Sequence, residues 1–204
     1  MKKIIPFTAT GYESNSYLLI SNNEAALIDA GADVRSVLSV LDREGAALKY
    51  ILLTHGHFDH TVSANELRRK TGAKLLVHKD DEEMLTDAKK SALWLFFGKD
   101  DTVGRADGTL DDGDELLIGD EKIQVVHTSG HSKGSVCYQA GSSLFTGDTL
   151  FKSGYGRFDL YGGDPEELLR SLKLLSQLDG NIDIYPGHGE GSTIKKAISA
   201  LGIN

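Results

Sequence analysis

One cysteine, Cys137, stands in the whole chain, so no internal disulfide can brace the fold, and a disulfide-stapled secreted scaffold is excluded. Within Ser135-Val136-Cys137-Tyr138 that residue reads as a small packed strand position rather than a nucleophile. Positive charge is scarce as well: 22 lysines and arginines against 30 aspartates and glutamates leave a net charge of -8. No basic run relieves the balance locally, which excludes nucleic acid and other polyanions as partners. Long apolar runs are missing too. The lysines of Met1-Lys2-Lys3-Ile4-Ile5-Pro6 precede no stretch long enough for a signal peptide or a membrane span, so a cytoplasmic protein with no membrane partner is expected. Only three prolines occur, and no linker rich in proline, glycine or serine divides the chain. The expectation is one domain over residues 1–204, monomeric or homodimeric. The 40% of residues that are hydrophobic supply it with a substantial core.

Turn signals cut the chain into short elements. Strands are predicted at Ser16–Ile20 and Ala25–Ile28, the second ended by Asp29-Ala30-Gly31. Val34, Val37, Leu38 and Leu41 recur at helical spacing behind Asp33 as a cap, and Gly45 stops that helix. A short buried strand at Lys49–Leu53, a helix from Thr61 to Lys70 ended by Gly72, and a strand at Lys74–His78 follow. An acidic amphipathic helix is predicted near Asp81–Trp94. Beyond it come strands at Glu115–Ile118, Lys122–His127, Ser135–Gln139 and Ser143–Thr146. Asp164-Pro165-Glu166-Glu167 then opens a helix running to near Gly180, Asp183–Tyr185 is a last strand and Thr193–Leu201 a last helix. Strands and helices in both halves argue for an α/β layered fold, with two sheets packed together and helices outside.

What the chain has in one place is histidine. Thr54-His55-Gly56-His57-Phe58-Asp59-His60 follows the apolar run Tyr50-Ile51-Leu52-Leu53 directly. His131, Asp148 and His188 each fall just beyond another predicted strand, where a rigid scaffold presents chemistry on loops. Alternate side chains of an extended segment share a face, so His55 and His57 reach one point, a two-pronged metal grip. If the chain turns at Asp59 and His60, those two aim at a neighbouring point, and two metals become feasible. Imidazole nitrogen with carboxylate oxygen suits zinc, with iron or manganese as alternatives. His78 and His127 lie at predicted strands without a ligand-spaced companion and read as structural.

These residues carry a resemblance to the metallo-β-lactamase superfamily. Its signature resembles Thr54–His60 here. Its further motifs resemble Thr128-Ser129-Gly130-His131-Ser132, Phe145-Thr146-Gly147-Asp148-Thr149-Leu150-Phe151 and Tyr185-Pro186-Gly187-His188-Gly189, in the family's order along the whole chain. The resemblance implies an αββα sandwich with the metals at one edge of the two sheets. It also implies two divalent metal ions: His55, His57 and His131 on one, Asp59, His60 and His188 on the other, and Asp148 as the bridge. Within the superfamily the chain is most similar to short glyoxalase II-like (hydroxyacylglutathione) hydrolases. Asp148 argues against true β-lactamases, and His57 against flavodiiron proteins, which carry glutamate there. Two features depart from glyoxalase II. Only residues 189–204 follow the last metal histidine, where that enzyme has a helical domain. Arg157-Phe158-Asp159 stands where it has a lysine, a phenylalanine and a tyrosine. The basic group and the aromatic remain, so Arg157 and Phe158 are expected to touch substrate, with a thioester better supported than glutathione as its thiol.

Two divalent cations, two ligand carboxylates and a bridging hydroxide sum to a net charge of about +1, a site suited to an incoming oxyanion. The expected reaction is hydrolysis of a small acyl thioester such as S-lactoylglutathione by that hydroxide, with Asp59 orienting it. A thiol of pKa about 8.5 leaves as thiolate, whereas an amine or alkoxide needs a positioned acid, and none beyond the ligands is visible. Arg157 offers a fork of donors to a substrate carboxylate, or pairs with Asp159 or Asp164 to hold its loop. Other readings of the same motifs are a persulfide dioxygenase with one iron on two histidines and an aspartate, a lactonase, and a non-catalytic metal-binding module.

Overall fold

A computed structural model describes residues 2–9 and 11–203. Met1 of the amino-terminal stretch and Asn204 at the other end lie outside them. Twelve strands form two sheets of six. The first sheet runs in chain order: β1 (Lys3–Phe7), β2 (Ser16–Ser21), β3 (Glu24–Ile28), β4 (Ala47–Leu52), β5 (Lys74–His78) and β6 (Gly108–Leu110). Its first three strands pair antiparallel and the rest parallel. The second sheet holds β7 (Glu115–Ile118), β8 (Glu121–His127), β9 (Val136–Ala140), β10 (Ser143–Gly147), β11 (Asp183–Pro186) and β12 (Ser192–Thr193). There only β10 and β11 run parallel.

Consecutive apolar residues in the strands bury both faces, which is why the strands read as unbroken apolar runs rather than as alternation. Leu18, Leu27 and Ile51 face helices α1 (Val34–Glu44) and α2 (Ala64–Thr71). Their neighbours Leu19, Ile28 and Leu52 face Tyr138 and Phe145 of the second sheet. On that sheet's far side Cys137, Leu144 and Ile184 pack on helices α4 (Pro165–Ser176) and α5 (Ile194–Leu201). Three apolar layers between four layers of structure make the expected αββα sandwich, with Cys137 fully buried as a packing residue. No helix among the described residues is long and apolar enough to cross a membrane.

The caps follow their chemistry. Asp33 accepts from the Ser36 N–H and Gly45 closes α1 at positive φ; Asp164 accepts from the Glu166 and Glu167 N–H groups ahead of Pro165. Three expectations need correction, and three strands were not expected. The helix expected at Thr61 starts at Ala64, because residues 58–60 form a single 3-10 turn. The one expected to reach Gly180 stops at Ser176. β1, β6 and β12 carried no recognised pattern. The largest correction is the predicted Asp81–Trp94 helix, which is a 3-10 segment, Lys79–Thr86, and a separate short helix α3, Leu93–Phe97. Asp81 is the physical reason at one end: its carboxylate turns inward to partners on two distant loops. Ala92, at φ 67°, breaks the helical path at the other.

Candidate metal centre

β4, β8, β10 and β11 end along one edge of the sandwich, and the loops leaving them carry the seven residues expected as ligands. His55 lies in the bend that leaves β4 and His57 in extended backbone after it, Asp59 and His60 sit in the turn that follows, and His131, Asp148 and His188 follow β8, β10 and β11. All seven converge, falling into groups His55/His57/His131, Asp59/His60/His188 and His55/His60/Asp148. Asp148 lies between the first two groups. Its Oδ1 is 3.4 Å from His60 Nε2, while its Oδ2 is 3.5 Å from His188 Nε2 and 3.7 Å from His131 Nε2. Asp59 Oδ2 lies 3.2 Å from His188 Nε2. Close approach of these loops requires glycine: a Cβ on Gly187 would lie 2.3 Å from Asp148 Oδ1, and one on Gly156 2.1 Å from the Asp148 carbonyl oxygen.

Groups behind the cluster set which nitrogen points inward. His131 Nδ1 faces the Arg157 carbonyl at 2.6 Å and so must donate. His60 Nδ1 donates to Asp29 at 2.8 Å. The Thr54 hydroxyl donates to Asp29, which leaves it accepting from His55 Nδ1 at 3.1 Å. In the neutral form each of these three rings aims an Nε2 lone pair at the centre, the orientation a metal ligand needs. Those lone pairs have no partner in the chain. His131 Nε2 sits 3.1 Å from His55 Nε2, two lone pairs that repel unless a cation lies between them, and 2.9 Å from His57 Nδ1. His60 Nε2 and Asp148 Oδ1 are buried without any hydrogen-bond partner. Such orphaned atoms with nitrogen and oxygen donors fit divalent metal.

The two groups differ electrically. Burial, and then neighbouring histidines, hold His55 well below the ordinary imidazole pKa; burial, and then His131, bring His57 down to about 3. His60 goes the other way: burial opposes its charge, but Asp29, Asp59 and Asp148 together raise its pKa well above the ordinary value. Burial also opposes the charge on Asp148, yet His60, His131 and His188 hold its carboxyl far below the usual range. One subsite is thus made of imidazoles alone, with His55 and His57 held neutral, and the other is rich in carboxylate.

Sequence reasoning missed two buried carboxylates. Asp29, just past β3 at φ 56°, accepts from the Thr54 N–H as well as from Thr54 Oγ1 and His60. It shows the signal that marked Asp148, a carboxylate directly after a strand. Asp81 accepts from Gly56 N (3.0 Å), Gly134 N (2.7 Å) and Ser132 Oγ (2.6 Å), joining the His55/His57 loop to the His131 loop. No local pattern flags it.

A cavity of about 360 Å³ lies over the cluster, walled by Tyr12, Phe58, Phe96, Phe151, Leu160 and Arg157 with five of the seven. Arg157 does not present a free fork there. Its guanidinium is held by Asp159 at 2.7 and 2.8 Å, the alternative the sequence left open. Phe158 is exposed and is not among the walls, so the aromatic contact expected of it passes to Phe58, Phe96 and Phe151. His78 and His127, expected to lack companions, stack on each other at 4.2 Å, because β5 and β8 end side by side at that point. They form a further group with Asp80, but His78 Nδ1 already accepts from the Asp80 N–H and His127 Nε2 donates to the Lys133 carbonyl.

Residues 9–188 match the family model described as metallo-beta-lactamase superfamily. A probable metallo-hydrolase, YqgX of Bacillus subtilis (strain 168), is 34% identical, covering 87% of this chain and 85% of its own. A hydroxyacylglutathione hydrolase of Anaeromyxobacter dehalogenans (strain 2CP-C) is 34% identical over 87% of this chain and 62% of its own length. Among solved structures, one described as the B3 metallo-beta-lactamase BLEG-1 has a TM-score of 0.87 at 34% identity, covering 98% of this chain and 97% of that one. A second, TTHA1623 in a di-iron-bound form, has a TM-score of 0.83 at 32% identity, covering 94% and 96%. Likeness of the whole chain therefore does not by itself separate a thioester from a β-lactam as substrate.

Proposed function

The chain belongs to the metallo-β-lactamase superfamily, and from that premise we propose a dinuclear metal-dependent hydrolase that cleaves a small acyl thioester. The observation that carries the substrate class is what the cavity walls lack. Apart from the proposed ligands, the walls are apolar or backbone except for Tyr12 and Arg157, and Arg157 is neutralised by Asp159. No carboxylic acid, histidine or lysine outside the ligand set stands there, among the described residues, to protonate a departing amine or alkoxide. A thiolate leaves without one. The similarity to a hydroxyacylglutathione hydrolase supports the same class.

His55, His57 and His131 would hold one cation, Asp59, His60 and His188 the other, and Asp148, which reaches members of both groups, would be shared. Zinc is the ion we propose from five imidazoles and two carboxylates, with iron as the alternative. Such ions, when bound, supply a water acidic enough to attack at neutral pH and a Lewis acid for the carbonyl oxygen. The chain does the rest. Asp29, Thr54 and the Arg157 carbonyl lock the imidazoles in the ligating tautomer, so no reorganisation precedes reaction. Asp59, lining the cavity, orients the attacking water and accepts its hydrogen bond. Phe58, Phe96, Phe151 and Leu160 keep bulk water from the reacting carbonyl.

Metal-reconstituted protein, its metal content measured, should be assayed on S-lactoylglutathione, other acyl thioesters, a lactone and a β-lactam. The expected result is two metals per chain and the highest kcat/KM on thioesters. Preference for the β-lactam or lactone would overturn the substrate class. One firmly bound iron with oxygen uptake on glutathione persulfide would move the protein to the dioxygenases.

A further inference from the structure

Beside the metal cavity lies a second one, apolar along one wall, that the hydrolytic machinery does not use. It begins with α3, whose sequence is Leu93-Trp94-Leu95-Phe96-Phe97. Trp94 to Phe97 remain 45% to 61% exposed, where a folded domain ordinarily hides such a run or gives it something to bind. The segment is fixed rather than left over. Ala92 enters it at φ 67°, a conformation costly for a residue with a Cβ. The Phe58 N–H donates to the Ser91 carbonyl at 3.0 Å, tying α3 to the turn that carries His57, Asp59 and His60. The Phe58 ring then packs on Phe96 and Phe97, with centroids 5.8 and 5.5 Å away, and Tyr12 lies 5.0 Å from Phe97.

Behind these rings is a cavity of about 330 Å³ with one apolar wall, which includes Val62, Met84, Leu93 and Phe97, while Asn65 and Thr102 put polar groups on the rest. It shares Tyr12 and Phe58 with the metal cavity, so the two meet at that pair of rings. An apolar cavity of about 150 Å³ holds benzene; this one has room for an aryl group or an aliphatic chain of several carbons. Lys99 and Asp101 also line it, with opposite charges that favour neither anion nor cation.

We propose that this cavity receives the acyl chain of the substrate, which makes the preferred thioester that of an apolar acid rather than of a small hydroxy acid. The proposal rests on the thioester reading above and names its acyl half. The acyl group occupies the cavity, not the thiol, because the apolar wall gives a hydrocarbon chain contacts that a departing thiolate, which needs hydration, does not gain.

The test uses metal-free protein titrated calorimetrically with uncleavable neutral thioethers: N-acetylcysteamine carrying S-methyl, S-butyl or S-octyl groups. Each buried methylene should tighten Kd about threefold, giving more than tenfold from methyl to octyl. Val62→Trp, at a half-exposed position that tolerates a larger ring, should fill the cavity and abolish most of that gain. Phe97→Ala, which opens the same wall, should also weaken octyl binding. A Kd independent of chain length, or octyl affinity untouched by both variants, overturns the proposal. Turnover separates it from the reading beneath it. With metals loaded, octanoyl thioester should exceed acetyl thioester in kcat/KM by at least tenfold. Chain-length-dependent binding without hydrolysis of any thioester supports the cavity as an apolar ligand site and overturns the hydrolase.

Discussion

Replacing Asp81 by alanine should loosen two of the loops that bear the proposed metal ligands, without touching any of those seven residues. Its carboxylate takes three donors: Gly134 N–H on Oδ1, and Gly56 N–H and the Ser132 hydroxyl on Oδ2. After truncation Ser132 can still turn to Ser135 Oγ, 2.7 Å away, but the two backbone N–H groups are left buried without acceptors. At about 1–3 kcal/mol for each orphaned donor the loss is about 4 kcal/mol. For a chain of this size that lowers Tm by about 8–16 °C. Asp81→Asn should cost less. It keeps one acceptor oxygen and removes a charge that burial already disfavours, since burial pushes the Asp81 carboxyl above the ordinary range while its donors pull the other way. The assay is thermal unfolding of the metal-free proteins, followed by metal competition against a chelator. There Asp81→Ala should bind metal about tenfold more weakly, because the His55/His57 and His131 loops are no longer braced together. A metal-free variant melting within about 2 °C of the parent would refute the bond accounting. A large loss of stability with unchanged metal affinity would refute the link to the ligand loops.

Asp148→Ala removes the carboxylate that faces both groups of ligands. It should lower metal content below two ions per chain and turnover by orders of magnitude, whereas His78→Ala should leave the metal count unchanged; elemental analysis reads both. Arg157→Ala breaks an exposed pair with Asp159, so KM should move little and equally for anionic and neutral thioesters. A rise confined to the anionic substrate would restore Arg157 as a substrate contact. Cys137 is fully buried between the second sheet and its helices, and burial pushes its thiol up to about 12. It should resist a disulfide reagent at pH 8 in the native protein and react fully once unfolded; rapid native labelling would place it elsewhere.

Much of this protein is written in local pattern, because its determinants are local. Asp33 and Gly45, or Asp164 ahead of Pro165, bound helices through hydrogen bonds to residues three or four positions away. Four of the proposed ligands, His55, His57, Asp59 and His60, were legible because a strand end followed by closely spaced histidines and an aspartate satisfies metal geometry within one turn of chain, whereas the roles of His131, Asp148 and His188 came with the family resemblance. What the sequence could not decide depends on partners far along it. Asp81 reads as one more acid in an amphipathic segment until the fold brings Gly56 and Gly134 to it, and that inward turn is what cuts the expected helix in two. For Arg157 the sequence leaves open a fork for a substrate carboxylate or a pair with Asp159 or Asp164, and the path of its loop selects Asp159. Spacing along the chain assigns no partner to His78, which meets His127 only because their strands end side by side. The apolar cavity is the furthest from the sequence: its walls come from residues 12 to 103, and only the packing of α3 and the Phe58 turn against α2 and the 79–86 segment makes a space of them.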